Sequence, residues 1–317
     1  MRNNAFPFLP KDFIQTKEGL IFAVVCYQPQ DTKVGCFLRY VADGQGWKKV
    51  DTEQANSLLQ THYPQYLYTS SQFDTAFHAV AVSDIVQHFQ PENKLKQLMQ
   101  QQPIDDLAQK LHTLIAILLQ YGANSDSLGL TGSMLIDQHR SSSDIDLVVY
   151  GRDNFHQMRQ AIQQAIIDGV LSDLDSALMQ DNFERRAAQL SYSEFAWHEY
   201  RKCNKAAIEG TKFDIGMVCL WNELEIDTNQ YQKQGMRTFK TKVIDDQRAF
   251  DFPAYYIVDD EMTPEIVSFT HTYIGQAKNN EVIEVSGTVE YNIATGQRRL
   301  IVGSTREAEG EYIKVCR

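Results

Sequence analysis

The sequence predicts a multidomain chain of mixed α+β and α/β class. Its parts are a strand-rich N-terminal α+β region over 1–100, an α/β core over 101–248 and a small C-terminal β domain over 249–317, with a barrel as its candidate form. Three observations lead there. A length of 317 residues suits two or three cores. Strand-like and helix-like runs alternate through the middle, the mark of an α/β core. β-rich runs crowd both ends.

In chain order, "GLIFAVVCY" (19–27) and "VGCFLRYV" (34–41) are β-rich and flank a polar turn, so they read as a hairpin. Pro91 stands near a helix start in "QPENKLKQLM", and Pro103 opens "PIDDLAQKLHTLIAILLQYG". In the second, Leu107, Leu111, Leu114, Ile115 and Leu118 fall at helical spacing, and Gly122 is a fitting stop. A short strand "SLGLT" (127–131) follows, then Gly132-Ser133, a short helical stretch, a Ser-rich turn and the strand "DIDLVVY". Asp153 is placed to cap a helix carrying Phe155, Met158, Ile162 and Ile166 on one face. "KFDIGMVCLW" (212–221) reads as another strand. Past 251, "YYIVDD", "VSFTHTYIG" and a strand pair about Thr295-Gly296 make the C-terminal β domain.

Composition narrows the function. Net charge is −11, so a chain-wide basic field for polynucleotides is absent. Arg185 to Lys242 is locally basic, with ten Lys/Arg against seven Asp/Glu. A phosphate-facing surface and a solvated helix face both account for that. No apolar run has the ~18 residues of a membrane span, and "MRNNAFPFLPKDF" lacks a signal-peptide core, so no membrane partner and a cytoplasmic location are expected. The five scattered cysteines form no CxxC, which argues against a zinc site or a disulfide framework.

The stretch that carries chemistry is "TGSMLIDQHRSSSDIDLVVYG" (131–151). Asp144 and Asp146 are two apart in a strand, so both carboxylates leave one face, about 6–7 Å apart at Cα. Two carboxylates this close repel unless a cation sits between them. Hard oxygen donors suit Mg²⁺ or Mn²⁺, and two such ions clamp a phosphoryl transfer. Gly132 lets the backbone approach a ligand, Ser133 adds a hydroxyl, and a helix N-terminus after them would hold phosphate.

A Gly-Ser, ten residues and then "DID" flanked by aliphatics resembles the signature of the DNA polymerase β-like nucleotidyltransferase superfamily. The resemblance covers about Ser127 to Leu220. It implies a small mixed-sheet core with two metal ions on three carboxylates, the third on a later strand. Asp214 in "KFDIGMV" is the candidate. Catalytic and metal-binding residues are then Asp144, Asp146 and Asp214; nucleotide-binding ones are Gly132, Ser133, Ser143, Lys205 and Lys212. The whole chain also resembles archaeal-type predicted nucleotidyltransferases through "FIQTKEGLIFAVV", "HEYRKCNKAAIEGTKFDI" and "IVGSTREAEGEYIK".

Other features weigh less. "SDLDSAL" (172–178) repeats the Asp-x-Asp spacing without an upstream Gly-Ser or a following aliphatic run, and reads as a solvated helix or turn. "GSTRE" (303–307) reads as a structural turn unless Arg306 meets a substrate. His88 and His112 read as core or surface residues, and His139 as an exposed loop residue. Arg201 and Lys202 join Lys205 and Lys212 as cations available to phosphate. Tyr192, Phe195, Trp197 and Tyr200 read as a helix packing face before a base-stacking one.

The expected activity moves an NMP from an NTP, ATP among them, to an acceptor hydroxyl with release of pyrophosphate, using two Mg²⁺ or Mn²⁺ ions. RNA, protein and small molecules are all open as acceptor, and the oligomeric state is not fixed by the sequence. Two alternatives stand beside it: a nucleotide-binding sensor or antitoxin-like module without turnover, and an RNA-binding protein using the C-terminal β domain.

Overall fold

The computed structural model describes residues 2–3, 5–44, 46–186, 189–305 and 308–317. Three sheets and six α-helices are formed among them, a mixed α/β multidomain architecture. The chain divides into two compact units. No helix among the described residues is long and apolar enough to cross a membrane.

The first unit takes residues 1–70, 76–171 and 207–224 and contains two sheets. The N-terminal sheet comprises β1 (Phe13–Thr16), β2 (Leu20–Gln30), β3 (Lys33–Ala42), β4 (Trp47–Lys49), β5 (Leu67–Ser70), β6 (Thr75–Ala81) and β7 (Ile85–Phe89). Its order is β5-β6-β3-β2-β1-β7, with β4 beside β3. The expected hairpin is β2–β3, antiparallel and closed at Gln30↔Lys33. Helix α1 (Thr52–His62) starts at an Asp51–Gln54 capping box and buries Ala55 and Leu59 against Phe22, Val24 and Leu38.

The central sheet has β8 (Leu128–Leu130), β9 (Ile145–Tyr150), β10 (Lys205–Ile208) and β11 (Thr211–Val218), in the order β10-β11-β9-β8. Around it are α2 (Pro91–Met99), α3 (Asp106–Gln120) and α4 (Arg152–Ile167). Helix α3 buries the expected leucines and is capped by Asp105. The N-cap of α4 is Gly151, not Asp153. β9 runs directly into the helix there, and Glu223 reaches over to accept the Arg152 amide at 2.9 Å. Asp153 instead lies in the first turn, where a negative charge suits the helix dipole.

The second unit takes residues 71–75, 172–206 and 225–317. It holds α5 (Ser176–Arg186), α6 (Tyr192–Lys202) and a sheet of β12 (Tyr231–Asp245), β13 (Ala254–Val258), β14 (Glu265–Ser268), β15 (Val282–Asn292), β16 (Arg298–Val302) and β17 (Tyr312–Val315). The order β12-β13-β14-β16-β15 closes on itself through a long β12–β15 pairing, and β17 adds to β15. Tyr256, Ile266, Val285 and Leu300 fill the core with Met179 and Phe195 from the helices. The edge expected at 248/249 therefore falls inside this unit, because β12 pairs with β13 and β15. Two compact units stand where three parts were expected.

Candidate functional site

β9 and β11 are parallel neighbours, and their register sets Asp146 directly beside Asp214. Parallel strands lie about 4.8 Å apart, so the two carboxylates emerge side by side. Asp144 immediately precedes β9 and shares the face of Asp146 by the two-residue period. On β11 the same period aligns Lys212, Asp214 and Gly216. Farther along this face, Val148, Tyr150 and Val218 form a dry cluster with Leu9.

The Gly132-Ser133 turn is bound to this strand pair. The Thr131 amide donates to the Asp146 carbonyl at 2.9 Å, and the Thr131 hydroxyl donates to the Lys11 carbonyl at 2.7 Å. Gly132 has φ +69°, and a Cβ there would stand 2.1 Å from Asp146 Oδ2. The carboxylate occupies space that only glycine leaves open. Where a helix was expected, the chain makes a five-residue 3-10 turn, Gly132–Ile136. Leu135 and Ile136 fix it by packing on Phe13, Ile21 and Tyr40 of the N-terminal sheet. So short a turn has no helix macrodipole to hold phosphate.

Lys212 is buried, 4% exposed, and its Nζ lies 2.9 Å from Asp144 Oδ2 and 4.0 Å from Asp214 Oδ2. A second lysine joins from the N-terminal segment. Lys11, at φ 77°, faces Asp146, and its side chain crosses Gly216, where an added Cβ would stand 3.3 Å from Lys11 Cε. Sequence reasoning missed Lys11. A glycine in mid-strand marks a close approach, and Gly216 was the available signal. Burial pushes the Asp146 carboxyl up to about 6, reinforced by the negative charges of Asp214 and Asp144. Lys11 and Lys212 pull it the other way.

The donor set fits a hard divalent cation: three carboxylates on one sheet face, with Gly132 keeping room for one of them. As the side chains stand, no three His, Cys, Asp or Glu among the described residues converge at ligating geometry. Asp144 is instead turned onto Lys212.

The other predicted residues divide. Ser143 lies beside Asp144, but its hydroxyl accepts the Arg140 amide at 2.9 Å and shapes the loop. Lys205 belongs to the second unit, where its ammonium bonds Glu199. Lys202 bonds the same carboxylate at 2.6 Å and the Thr272 carbonyl at 2.7 Å. Burial opposes the Glu199 charge, yet Lys202 and Lys205 outweigh it and hold that carboxyl well below the usual range. Arg201 pairs with Glu281 and lies over the Trp197 ring. These three cations therefore do structural work inside the second unit. Phe195 alone of the four aromatics is core; Tyr192 and Tyr200 are exposed, with the Tyr200 hydroxyl donating to the Leu174 carbonyl.

The decoys are accounted for. Asp175 of "SDLDSAL" accepts the Leu178 amide at the start of α5. The "GSTRE" turn is held by buried Glu311, which accepts the amides of Gly303 and Ser304 at 2.6 and 2.8 Å. Arg306 lies outside the described residues. His139 is largely covered, 13% exposed where an exposed loop residue was expected, because it pairs with Asp105; His88 pairs with Asp12 and His112 with the Leu98 carbonyl.

The chain is similar to a protein of Methanocaldococcus jannaschii, uncharacterized protein MJ1086. The two are 33% identical over 335 residues, covering 97% of this chain and 98% of the relative. No family model and no solved structure matches the chain.

Proposed function

The chain belongs to the same family as the M. jannaschii protein, and we propose that it is a metal-dependent nucleotidyltransferase. It would move an NMP from an NTP to an acceptor hydroxyl and release pyrophosphate. One observation carries this reading: Asp146 and Asp214 stand in register on adjacent parallel strands, with Asp144 on the same face and the Gly132-Ser133 turn bound alongside. That arrangement agrees with the "GS…DID" resemblance, which came from sequence spacing alone.

Each residue has a role in this scheme. Asp144, Asp146 and Asp214 would hold Mg²⁺ or Mn²⁺, two ions in this scheme, which would supply charge neutralisation for phosphate and a lowered pKa for the acceptor hydroxyl. Asp214 accepts the acceptor's proton. Gly132 and Ser133 lie against the triphosphate, and Lys212 and Lys11 offset its charge. Catalysis is then positioning plus charge neutralisation.

A nucleotide-binding module without turnover is the second reading. The observation in its favour is that Asp144 is turned onto Lys212, an ion pair that leaves buried positive charge available to a nucleotide's phosphates. The test incubates α-labelled NTPs, with Mg²⁺ or Mn²⁺, with total RNA and with protein extract. Label transfer with pyrophosphate release is expected from the wild type and from neither Asp144→Asn nor Asp146→Asn. Activity retained in either variant removes this mechanism. NTP binding without pyrophosphate favours the second reading.

A further inference from the structure

Lys212 is an unusual neighbour for a metal site. It lies two residues before Asp214 on the same strand face, so its side chain runs along the carboxylates. At 4% exposure it is almost wholly removed from water, and a buried ammonium needs an anion. It has one in Asp144 at 2.9 Å, with Asp214 at 4.0 Å. The charges around it are Asp144, Asp146 and Asp214, with Lys11 the second cation. Asp144 Oδ2 is engaged by Lys212, so a divalent ion drawing on that oxygen competes with the ammonium for it.

We infer that Lys212 is the resident cation of this site. It occupies Asp144 in the metal-free protein and sets the metal affinity by competing with divalent ions for that carboxylate. This rests on the metal reading above and deepens it. When Asp144 is given up, the buried ammonium needs another anion, and a phosphate group of the nucleotide supplies one. Lys212 thus serves two anions in turn, which couples release of Asp144 to nucleotide binding.

The test measures Mn²⁺ binding without nucleotide, by titration calorimetry and by the free-Mn²⁺ EPR signal. Wild type is compared with Lys212→Met, Lys212→Gln and Lys212→Arg. Removing a unit charge a few ångströms from the ion is expected to tighten Mn²⁺ binding about tenfold or more in the Met and Gln variants. Lys212→Arg keeps the charge and should stay within about threefold of wild type. Lys212→Gln retains a hydrogen-bond donor toward Asp144 and serves if Lys212→Met does not fold. Unchanged or weaker Mn²⁺ binding in the neutral variants overturns the inference and leaves the transferase reading intact. Tighter binding without NTP turnover in the wild type supports the inference and sinks the transferase reading. No Mn²⁺ uptake by any folded variant overturns both.

Discussion

Gly132→Ala separates the role of the Gly-Ser turn from the ordinary cost of a left-handed residue. The added Cβ would stand 2.1 Å from Asp146 Oδ2, and the residue sits at φ +69°. The backbone alone accounts for about 1–2 kcal/mol when a Cβ is forced into this region. Gly169, at φ +73° with nothing within 4 Å of its added Cβ, isolates that contribution. Gly169→Ala should therefore cost about 1–2 kcal/mol. Gly132→Ala should cost that amount plus about 1–3 kcal/mol for overpacking against a strand that cannot retreat. Urea denaturation of both variants beside wild type measures the difference. Mn²⁺ titration then tests the proposed ligand role of Asp146, and at least a tenfold weaker uptake is expected for Gly132→Ala alone. Equal destabilisation of the two variants, with equal Mn²⁺ binding, would refute the argument that Gly132 exists to seat the Asp146 carboxylate.

Three further outcomes are expected. His198 is buried and fixed as the neutral ring, Nδ1–H donating to the Glu194 carbonyl at 2.7 Å and Nε2 accepting the Val315 amide at 3.2 Å. Burial pulls its pKa down from 6.5 to about 4, so its contribution is whole above 6.5 and lost as pH falls toward 4. Wild type should lose up to about 3 kcal/mol over that window relative to His198→Gln; parallel pH profiles in urea would contradict this. Arg2 forks onto fully buried Asp12 at 2.6 and 2.9 Å and also bonds Glu92, so Arg2→Met should cost about 3 kcal/mol by removing the guanidinium and leaving the Asp12 carboxylate to His88 and the Leu9 amide, read as a lower urea midpoint. Asp146→Asn should raise metal-free stability by about 1–2 kcal/mol, because it removes one of three crowded negative charges; a lower melting temperature would count against that crowding.

Much of the candidate site's geometry was legible because it obeys short-range rules. The two-residue period of a strand placed Asp144 with Asp146, and an isolated acid in an apolar run exposed Asp214. What escaped depended on distant chain. Lys11 reaches the carboxylates from the N-terminal segment, and only Gly216 hinted at the crossing. Lys205 is close to Asp214 in sequence, but it belongs to the second unit together with Glu199, which takes its ammonium. The stretch after Gly132-Ser133 reads as helical, yet burial of Leu135 and Ile136 on the N-terminal sheet stops it after one 3-10 turn. The broad mixed α/β class survived these errors because hydrophobic periodicity fixes elements. The unit boundaries did not, because they depend on which strands pair. Nothing local in "YQKQGMRTFKTKVID" says that its partners lie past residue 250.

The energetics of the strand pair argue that its acids are kept for function. A fold selected only for stability would not set Asp146 beside Asp214, with Asp144 on the same face, against the dry cluster of Leu9, Val148 and Tyr150. Burial raises the cost of ionising Asp146, and the charges of Asp214 and Asp144 add to it. Two lysines offset that cost, and both depend on special placement. Lys212 needs to share the face of Asp214, and Lys11 needs a glycine to pass over. Apolar residues in place of all five would pack at lower cost, as replacement of buried ion clusters elsewhere does. The excess negative charge, three carboxylates against two ammonium groups, leaves the site short of positive charge. In the proposed reading a divalent cation would supply that deficit, and a nucleotide's phosphates would give Lys212 an anion once Asp144 turns away.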